Sequence, residues 1–302
     1  MEFIKPGLKI DFVGKMKYAI IFSVILTILC IGSVIFHGGL NFGIDFAGGS
    51  IIQVKVQKDI SADKIRQALR STRLENSIIQ QFGPNEFLIR TAESFHDQKL
   101  LVENLEKPLT AAFNKDYEIR RVEVVGSKVG MDFQRKALLA VVLSWLAMLA
   151  YIAWRFEFRY GLGGIIALIH DVIIITGTIS ILKMEFTISI LAAIFFIIGY
   201  SINDTIVVLD RIRENVKLNP RNKLADTINL SINQTLSRTI LTSFTVFLTV
   251  IALYIWGGPV IHDLALSLLV GVVFGTYSSI FISCPIVLLF ENLQLSKMKR
   301  KK

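Results

Sequence analysis

The chain reads as a polytopic α-helical membrane protein: six transmembrane helices, with one α+β, ferredoxin-like external domain between the first two. Three observations predict this. Of its 302 residues 53% are hydrophobic and the mean hydropathy is +0.57, above what a soluble domain of this length carries. The apolar residues gather in six runs, each near or above the ~20 residues that a helix needs to cross a bilayer. One polar interval of mixed charge, residues 37–135, separates the first two runs and has the element order of a small sheet with two helices.

The N-terminal residues 1–17 carry Lys5, Lys9, Lys15 and Lys17, and the first apolar run covers 18–36. It is longer than a signal-peptide core, and no small-x-small cleavage site follows it, so it reads as a retained span. The external domain opens with Gly38, Gly39, Gly43, Gly48 and Gly49 around Asp45. Residues 50–56 alternate like a strand. Ser61 is placed to cap a helix through Ile65 and Leu69. Residues 76–82 and 86–90 read as strands joined by the turn signal Gly83-Pro84-Asn85, 98–113 as an amphipathic helix, and 117–125 as a last strand. The order is β-α-β-β-α-β. Nothing in it has catalytic spacing, and His96 reads as a surface residue.

The remaining spans are predicted at 137–154, 161–182, 186–209, 239–256 and 264–290, followed by a basic tail at 291–302. The polar loop 211–238 holds Leu224, Ile228, Ile232 and Leu236 at one-face helical spacing, which predicts an amphipathic helix along the membrane surface. Gly271 and Gly275, continued by Ser278 and Ser279, predict a close-packing seam. Pro285 predicts a kink in the last span.

Charge predicts the orientation. Basic residues crowd the N-terminus, the loop with Arg155 and Arg159, the loop with Arg211, Arg213, Lys217, Arg221 and Lys223, and the tail. Of the opposite short loops, one holds only Lys183 and the other, at 257–263, holds no lysine or arginine. By the positive-inside rule both termini are cytoplasmic and the domain lies on the far face, so the net charge of +9 needs no nucleic-acid partner. The two cysteines, Cys30 and Cys284, sit in apolar runs and read as small buried hydrophobes, not a disulfide framework or metal site.

Ionisable residues inside the spans are few. An ionised Asp at mid-helix costs on the order of 2.5–3.5 kcal/mol on insertion scales, so it tends to face a partner or a water path. Asp204 lies within the fourth apolar run, Asp171 follows His170 near the middle of the third, and Arg238 opens the fifth. Asp204 and Arg238 fall in the same half of the bilayer, at depths a long Arg can bridge. A neighbouring guanidinium favours the charged carboxylate and a dry bilayer the neutral one, and a group balanced between them can load and release a proton. Moving one charge through the membrane field releases about 2.3 kcal/mol per 100 mV. Asp204, Arg238 and Asp171 are therefore the candidate proton-coupling residues, with Tyr200, Ser201, Asn203 and His170 as candidates for a polar path. No nucleotide loop or His-Glu-x-x-His zinc motif is present, so the chain is expected to be no enzyme and to use no cofactor or metal, with a proton gradient as its energy source. A single Asp without an oxygen cage favours H⁺ over Na⁺.

Several stretches occur in order over nearly the whole chain: Phe42-Gly-Ile-Asp-Phe-Ala-Gly-Gly-Ser50, Val125-Gly-Ser-Lys-Val-Gly130, Trp154-Arg-Phe-Glu-Phe158, Ala167-Leu-Ile-His-Asp-Val172, Gly199-Tyr-Ser-Ile-Asn-Asp204, Ser237-Arg-Thr-Ile-Leu-Thr-Ser243 and Gly275-Thr-Tyr-Ser-Ser279. Together they resemble the SecD/SecF family of bacterial protein-export membrane proteins, part of the resistance-nodulation-division group of proton-driven transporters. The resemblance implies a subunit of the Sec translocase in the inner membrane that pairs with a separate SecD chain. It also implies action with the SecYEG channel and use of the proton-motive force to promote export of an unfolded polypeptide after the ATP-driven step of SecA. The family's functional Asp and Arg fall on Asp204 and Arg238, and its first external motif on Gly43, Asp45, Gly48 and Gly49, where a structural turn is the favoured reading. The alternatives are a proton-driven half-transporter for a small molecule or lipid, and an assembly scaffold without a proton role.

Overall fold

The computed structural model describes residues 9–57, 60–70, 72–91, 93, 98–114, 116–155 and 158–300. His96, Lys5, Phe156, Glu157, Lys301 and Lys302 lie outside them. In chain order the elements begin with α1 (Phe12–Phe36), α2 (Ile44–Ala47), β1 (Gly49–Val56), α3 (Ala62–Leu69), β2 (Ile78–Gly83), β3 (Glu86–Thr91), α4 (Gln98–Phe113) and β4 (Tyr117–Val125). Six more helices follow: α5 (Ser127–Arg155), α6 (Phe158–Ile181), α7 (Ile188–Leu218), α8 (Leu224–Trp256), α9 (Pro259–Phe281) and α10 (Ser283–Arg300). The chain divides into two compact units. One is Asn41–Leu139 with Glu185–Ile188; the other is Met1–Leu40, Ala140–Met184 and Ser189–Lys302.

The first unit holds a four-stranded antiparallel sheet in the order β2-β3-β1-β4. The alternation that marks β1 as a strand puts Ile52, Val54 and Val56 on one face, and Phe87 and Ile89 of β3 lie beside them in the same core. Ile65 and Leu69 of α3 and Leu101, Leu105 and Leu109 of α4 recur one turn apart and close over that face. The β2–β3 turn needs a left-handed residue, and Asn85 supplies it at φ 59°. This is the ferredoxin-like arrangement read from the element order.

Among the described residues six stretches are long and apolar enough to cross a membrane, and all but the start of Ser127–Arg155 and Ile188 fall in the second unit. Of the most apolar stretch of α6, 61% is buried, against 11% for α1, so α6 is central and α1 turns most of its side chains outward. Close helix approach explains the small residues. A Cβ on Gly271 would meet Ile197 Cγ1 at 2.3 Å, and one on Gly275 would meet Ser201 Cβ at 3.1 Å, so the α9 seam admits α7 only because those positions are bare.

Three differences from the sequence reading bear on how the helices pack. α5 starts at Ser127, ten residues before the apolar run at 137, because hydropathy marks the apolar part of a helix and not its end. The stripe assigned to a surface helix is the first part of α8, which runs without interruption into the fifth span for 33 residues. Ile228, Ile232 and Leu236 are buried against Val208, Leu209 and Ile212 of α7 and against Phe12 and Met16 of α1. The stripe therefore meets protein instead of lipid. Polar contacts complete this packing: Asn215 Nδ2 donates to Ser231 Oγ at 2.9 Å, and Asn229 and Asn233 bond the backbone of Ile10, Phe12 and Val13. Finally, the last span is two helices, α9 and α10, broken at Ile282. Pro285 has no N–H to give the carbonyl four residues back, Phe281, and the predicted kink appears there as a break.

Candidate functional site

The two membrane aspartates occupy different surroundings in the same bundle. Asp171 on α6 is 1% exposed and Asp204 on α7 is 3% exposed. Asp171 is surrounded by donors. Ser201 Oγ donates to its Oδ2 at 2.7 Å, Ser278 Oγ reaches the same atom at 2.9 Å, and His170 Nδ1 lies 3.2 Å from Oδ1. The rings of Phe274 and Tyr277 pack near His170. These contacts place Asp171, His170, Ser201 and Ser278 in one cluster across α6, α7 and α9.

Asp204 has one such partner, Ser243 Oγ on α8, at the longer distance of 3.3 Å. Behind it Thr276 Oγ1 on α9 lies 2.7 Å from Ser243 Oγ and 2.8 Å from its own helical carbonyl, Val272 O. Each hydroxyl has one proton. With Asp204 ionised, Thr276 donates to Ser243 and Ser243 donates to the carboxylate. With Asp204 protonated, the acid donates to Ser243, Ser243 to Thr276, and Thr276 to the Val272 carbonyl. The two arrangements differ in the direction of the hydroxyls and need no movement of a heavy atom. A row of hydroxyls ending on a free carbonyl lone pair thus accommodates the gain and loss of a proton at Asp204. Beside Asp171, Ser278 Oγ likewise lies 3.1 Å from a carbonyl of its own helix, Gly275 O.

The other predicted residues divide. The Tyr200 hydroxyl is buried and lies beside Ser243 and Thr276. Arg238 is exposed and lies no closer than 4.0 Å to a carboxylate oxygen among the described residues, so the direct bridge from Arg238 to Asp204 is absent; its charge reaches Asp204 at longer range. An exposed guanidinium keeps its solvation, which a buried ion pair would cost it. Asn203 is exposed, one position round the helix from Asp204, and stands outside both clusters. Sequence reasoning missed Ser243 and Thr276 as partners of Asp204. The available signal was a hydroxyl residue in each of two quoted motifs, Ser237–Ser243 and Gly275–Ser279.

In the first, sheet-bearing unit the glycine motif is a close-packed turn. Gly48 has φ 81°, and a Cβ there would lie 2.6 Å from Ser127 Cα. A Cβ on Gly130 would meet Phe46 O at 2.6 Å, so the two glycine-bearing stretches, around Gly48 and around Gly130, lie backbone against backbone. Gly49 also has positive φ, Gly43 precedes the short helix α2, and Asp45 accepts from the backbone N–H of Ile188 at 3.0 Å.

A family model described as protein export membrane protein SecD/SecF, C-terminal, matches residues 105–293, well over half of the chain and including Asp171, Asp204 and Arg238. The chain belongs to the SecD/SecF family. A second model, the SecD/SecF GG motif, matches residues 33–60, which hold Gly43, Asp45, Gly48 and Gly49. Curated relatives named protein translocase subunit SecF include one from Calditerrivibrio nitroreducens, 42% identical over 97% of this chain and 98% of its own length. Another, from Magnetococcus marinus, is 45% identical over 93% of this chain and 92% of its own length. Among solved structures, SecDF from Thermus thermophilus, titled a translocon-associated membrane protein, superposes with TM-score 0.81 at 36% identity over 95% of this chain. The chain spans 39% of that SecDF polypeptide. A SecDF structure in a super-membrane-facing form gives TM-score 0.73 at 34% identity over the whole chain and 41% of its own. Membership of this family makes the chain a multi-pass membrane component of protein export.

Proposed function

We propose that the chain is the SecF half of a SecD–SecF complex in the bacterial inner membrane. It would use the proton-motive force to promote late export of an unfolded polypeptide through SecYEG, after the ATP-driven step of SecA. Both termini are cytoplasmic and the ferredoxin-like domain faces the exported chain. Asp204 takes up and releases the proton. Arg238 biases that equilibrium through its charge, and the Asp171 cluster holds α6, α7 and α9 in register around it. The single observation that supports this reading is the row Asp204–Ser243–Thr276, whose hydrogen bonds can reverse direction, with the Val272 carbonyl taking the Thr276 proton when Asp204 is protonated. Asp171 contributes as a fixed acceptor, with Tyr200 and Ser201 lining the polar interior.

The test is Asp204→Asn in membrane vesicles holding the full translocase, following completion of a translocating chain with and without a proton gradient. The proposal expects the gradient-dependent part to vanish while the complex still assembles. Unchanged export with unchanged gradient dependence would make Asp204 a packing residue and the chain a scaffold.

A further inference from the structure

The two helices that carry Asp204 and Ser243 meet along a face that repeats. On α8 a hydroxyl stands at every fourth position, at Thr227, Ser231, Thr235, Thr239 and Ser243, and all five side chains are buried. Residues four apart lie on one helix face. Apolar packing joins the two helices between these contacts, Val208, Leu209 and Ile212 of α7 with Ile232 and Leu236 of α8. Such packing is non-directional and does little to exclude a slip along the helix. A slip of α7 by one turn toward the loop is about 6 Å at 1.5 Å per residue. It would set Asp204 opposite Thr239, whose hydroxyl is buried and has no hydrogen-bond partner among the described residues. The loop 219–223 between the helices permits it, because five extended residues reach about 17 Å and neighbouring helices lie 8–10 Å apart.

The loop end of this hairpin breaks the repeat. Asn215 on α7 is buried, and its Nδ2 donates to Ser231 Oγ at 2.9 Å and to Gln234 Oε1 at 2.8 Å. Arg211 Nε donates to the same Gln234 oxygen at 2.7 Å. Ser231 has an equivalent one turn to either side, Thr227 and Thr235. Gln234 has none: Leu230 carries no acceptor and Arg238 carries only donors. A one-turn slip in either direction therefore leaves the second N–H of a buried amide without its acceptor, which costs more than the bond itself. A single buried Asn fixes register in the same way where coiled-coil helices could otherwise pair in several.

We propose that Asn215 and Gln234 are positioning residues, which hold α7 and α8 in the one register where Asp204 meets Ser243. From Asp204 to Asn215 is about 16 Å of α7, and from Ser243 to Gln234 about 14 Å of α8, so the two contacts agree in register and fixing one fixes the other. This inference rests on the proton reading of Asp204 given above.

The test uses the full chain with Cys30 and Cys284 replaced by alanine. Nitroxide labels are attached at Phe196→Cys on α7 and Asp226→Cys on α8, two exposed positions, and the labelled chain is reconstituted in its translocase. Pulsed electron spin resonance reads the distance between the labels, and the gradient-dependent fraction of export is measured on the same samples. The unaltered register is expected to give one distance. Asn215→Leu and Gln234→Leu, made separately, are each expected to add a second distance displaced by about one turn. Each is also expected to lower the gradient-dependent fraction about five- to tenfold, the scale of one lost hydrogen bond. Gln234→Glu keeps an oxygen for both donors and is expected to restore the single distance and the export. A single unshifted distance in both leucine variants would overturn the proposal, whatever export does. A shifted distance with gradient-dependent export intact would overturn it too, because the register would then not seat Asp204. Asp204→Asn in parallel separates the two ideas. If it abolishes the gradient-dependent fraction while both leucine variants leave it intact, the positioning role alone falls. If it leaves that fraction untouched, the proton reading falls, and the positioning role falls with it even where the distance shifts.

Discussion

Side-chain hydroxyls separate the two aspartates. Asp171 and Asp204 are both buried, yet Asp171 meets two serines and the ring of His170, whereas Asp204 meets, among the described residues, one serine that hands on to a threonine. Ser243→Ala removes the link next to Asp204. A hydrogen bond to a charged group is worth about 1.5–3 kcal/mol, so gradient-dependent export should fall roughly ten- to hundredfold. Ser243→Thr keeps the hydroxyl and should retain the activity; an alanine variant that still responds to the gradient would rule the row out. The aspartates themselves were legible as rare charges in apolar runs. Ser243 and Thr276 were not, because a hydroxyl in a membrane helix ordinarily bonds a carbonyl of its own preceding turn, as Thr178 and Thr249 do here. Only the packing of α8 against α9 brings these two together. For the same reason sequence depth suggested a bridge between Arg238 and Asp204, whereas their helices turn Arg238 outward.

Among the elements, periodicity was informative wherever turn chemistry punctuated it. The limits of α4 and β4 agree with the reading because Asn114 ends one and the alternation of residues 117–125 defines the other. The stripe at the start of α8 shows the complementary failure. An apolar face at helical spacing is the same whether it covers lipid or protein, and here Ile228, Ile232 and Leu236 cover α7 and α1. Ile232→Ala should therefore destabilise the bundle by about 2–5 kcal/mol, as for other buried large-to-small changes, measured by thermal unfolding in detergent. A helix lying on the membrane surface would lose far less. Gly271→Leu tests the α7–α9 seam in the same assay. Its side chain would overlap Ile197, and overpacking costs about 1–3 kcal/mol, so the melting temperature should drop. An unchanged melting temperature would mean that the helices are not in close contact there.

For the whole molecule, composition and charge carried most of the information. Six apolar stretches and one sheet-bearing domain were readable because bilayer thickness sets span length and a strand's period differs from a helix's. The asymmetry of Lys and Arg between loops predicts the orientation, which labelling can check. With Cys30 and Cys284 replaced by alanine, an impermeant maleimide should reach Lys183→Cys from outside intact cells and Lys223→Cys only after permeabilisation. The opposite pattern would invert the chain and remove the domain from the exported polypeptide. What composition could not reveal is that Glu185–Ile188 joins the sheet-bearing unit, since that depends on a backbone bridge and an ion pair between residues about a hundred or more positions apart.

The central claim is that Asp204 itself exchanges a proton inside the membrane. Infrared difference spectroscopy of the reconstituted complex, stepping the pH, reads protonated carboxyl groups directly. The account predicts a pH-sensitive carboxyl band that disappears in Asp204→Asn and persists in Asp171→Asn. A band that survives Asp204→Asn, or that vanishes only with Asp171, would contradict it.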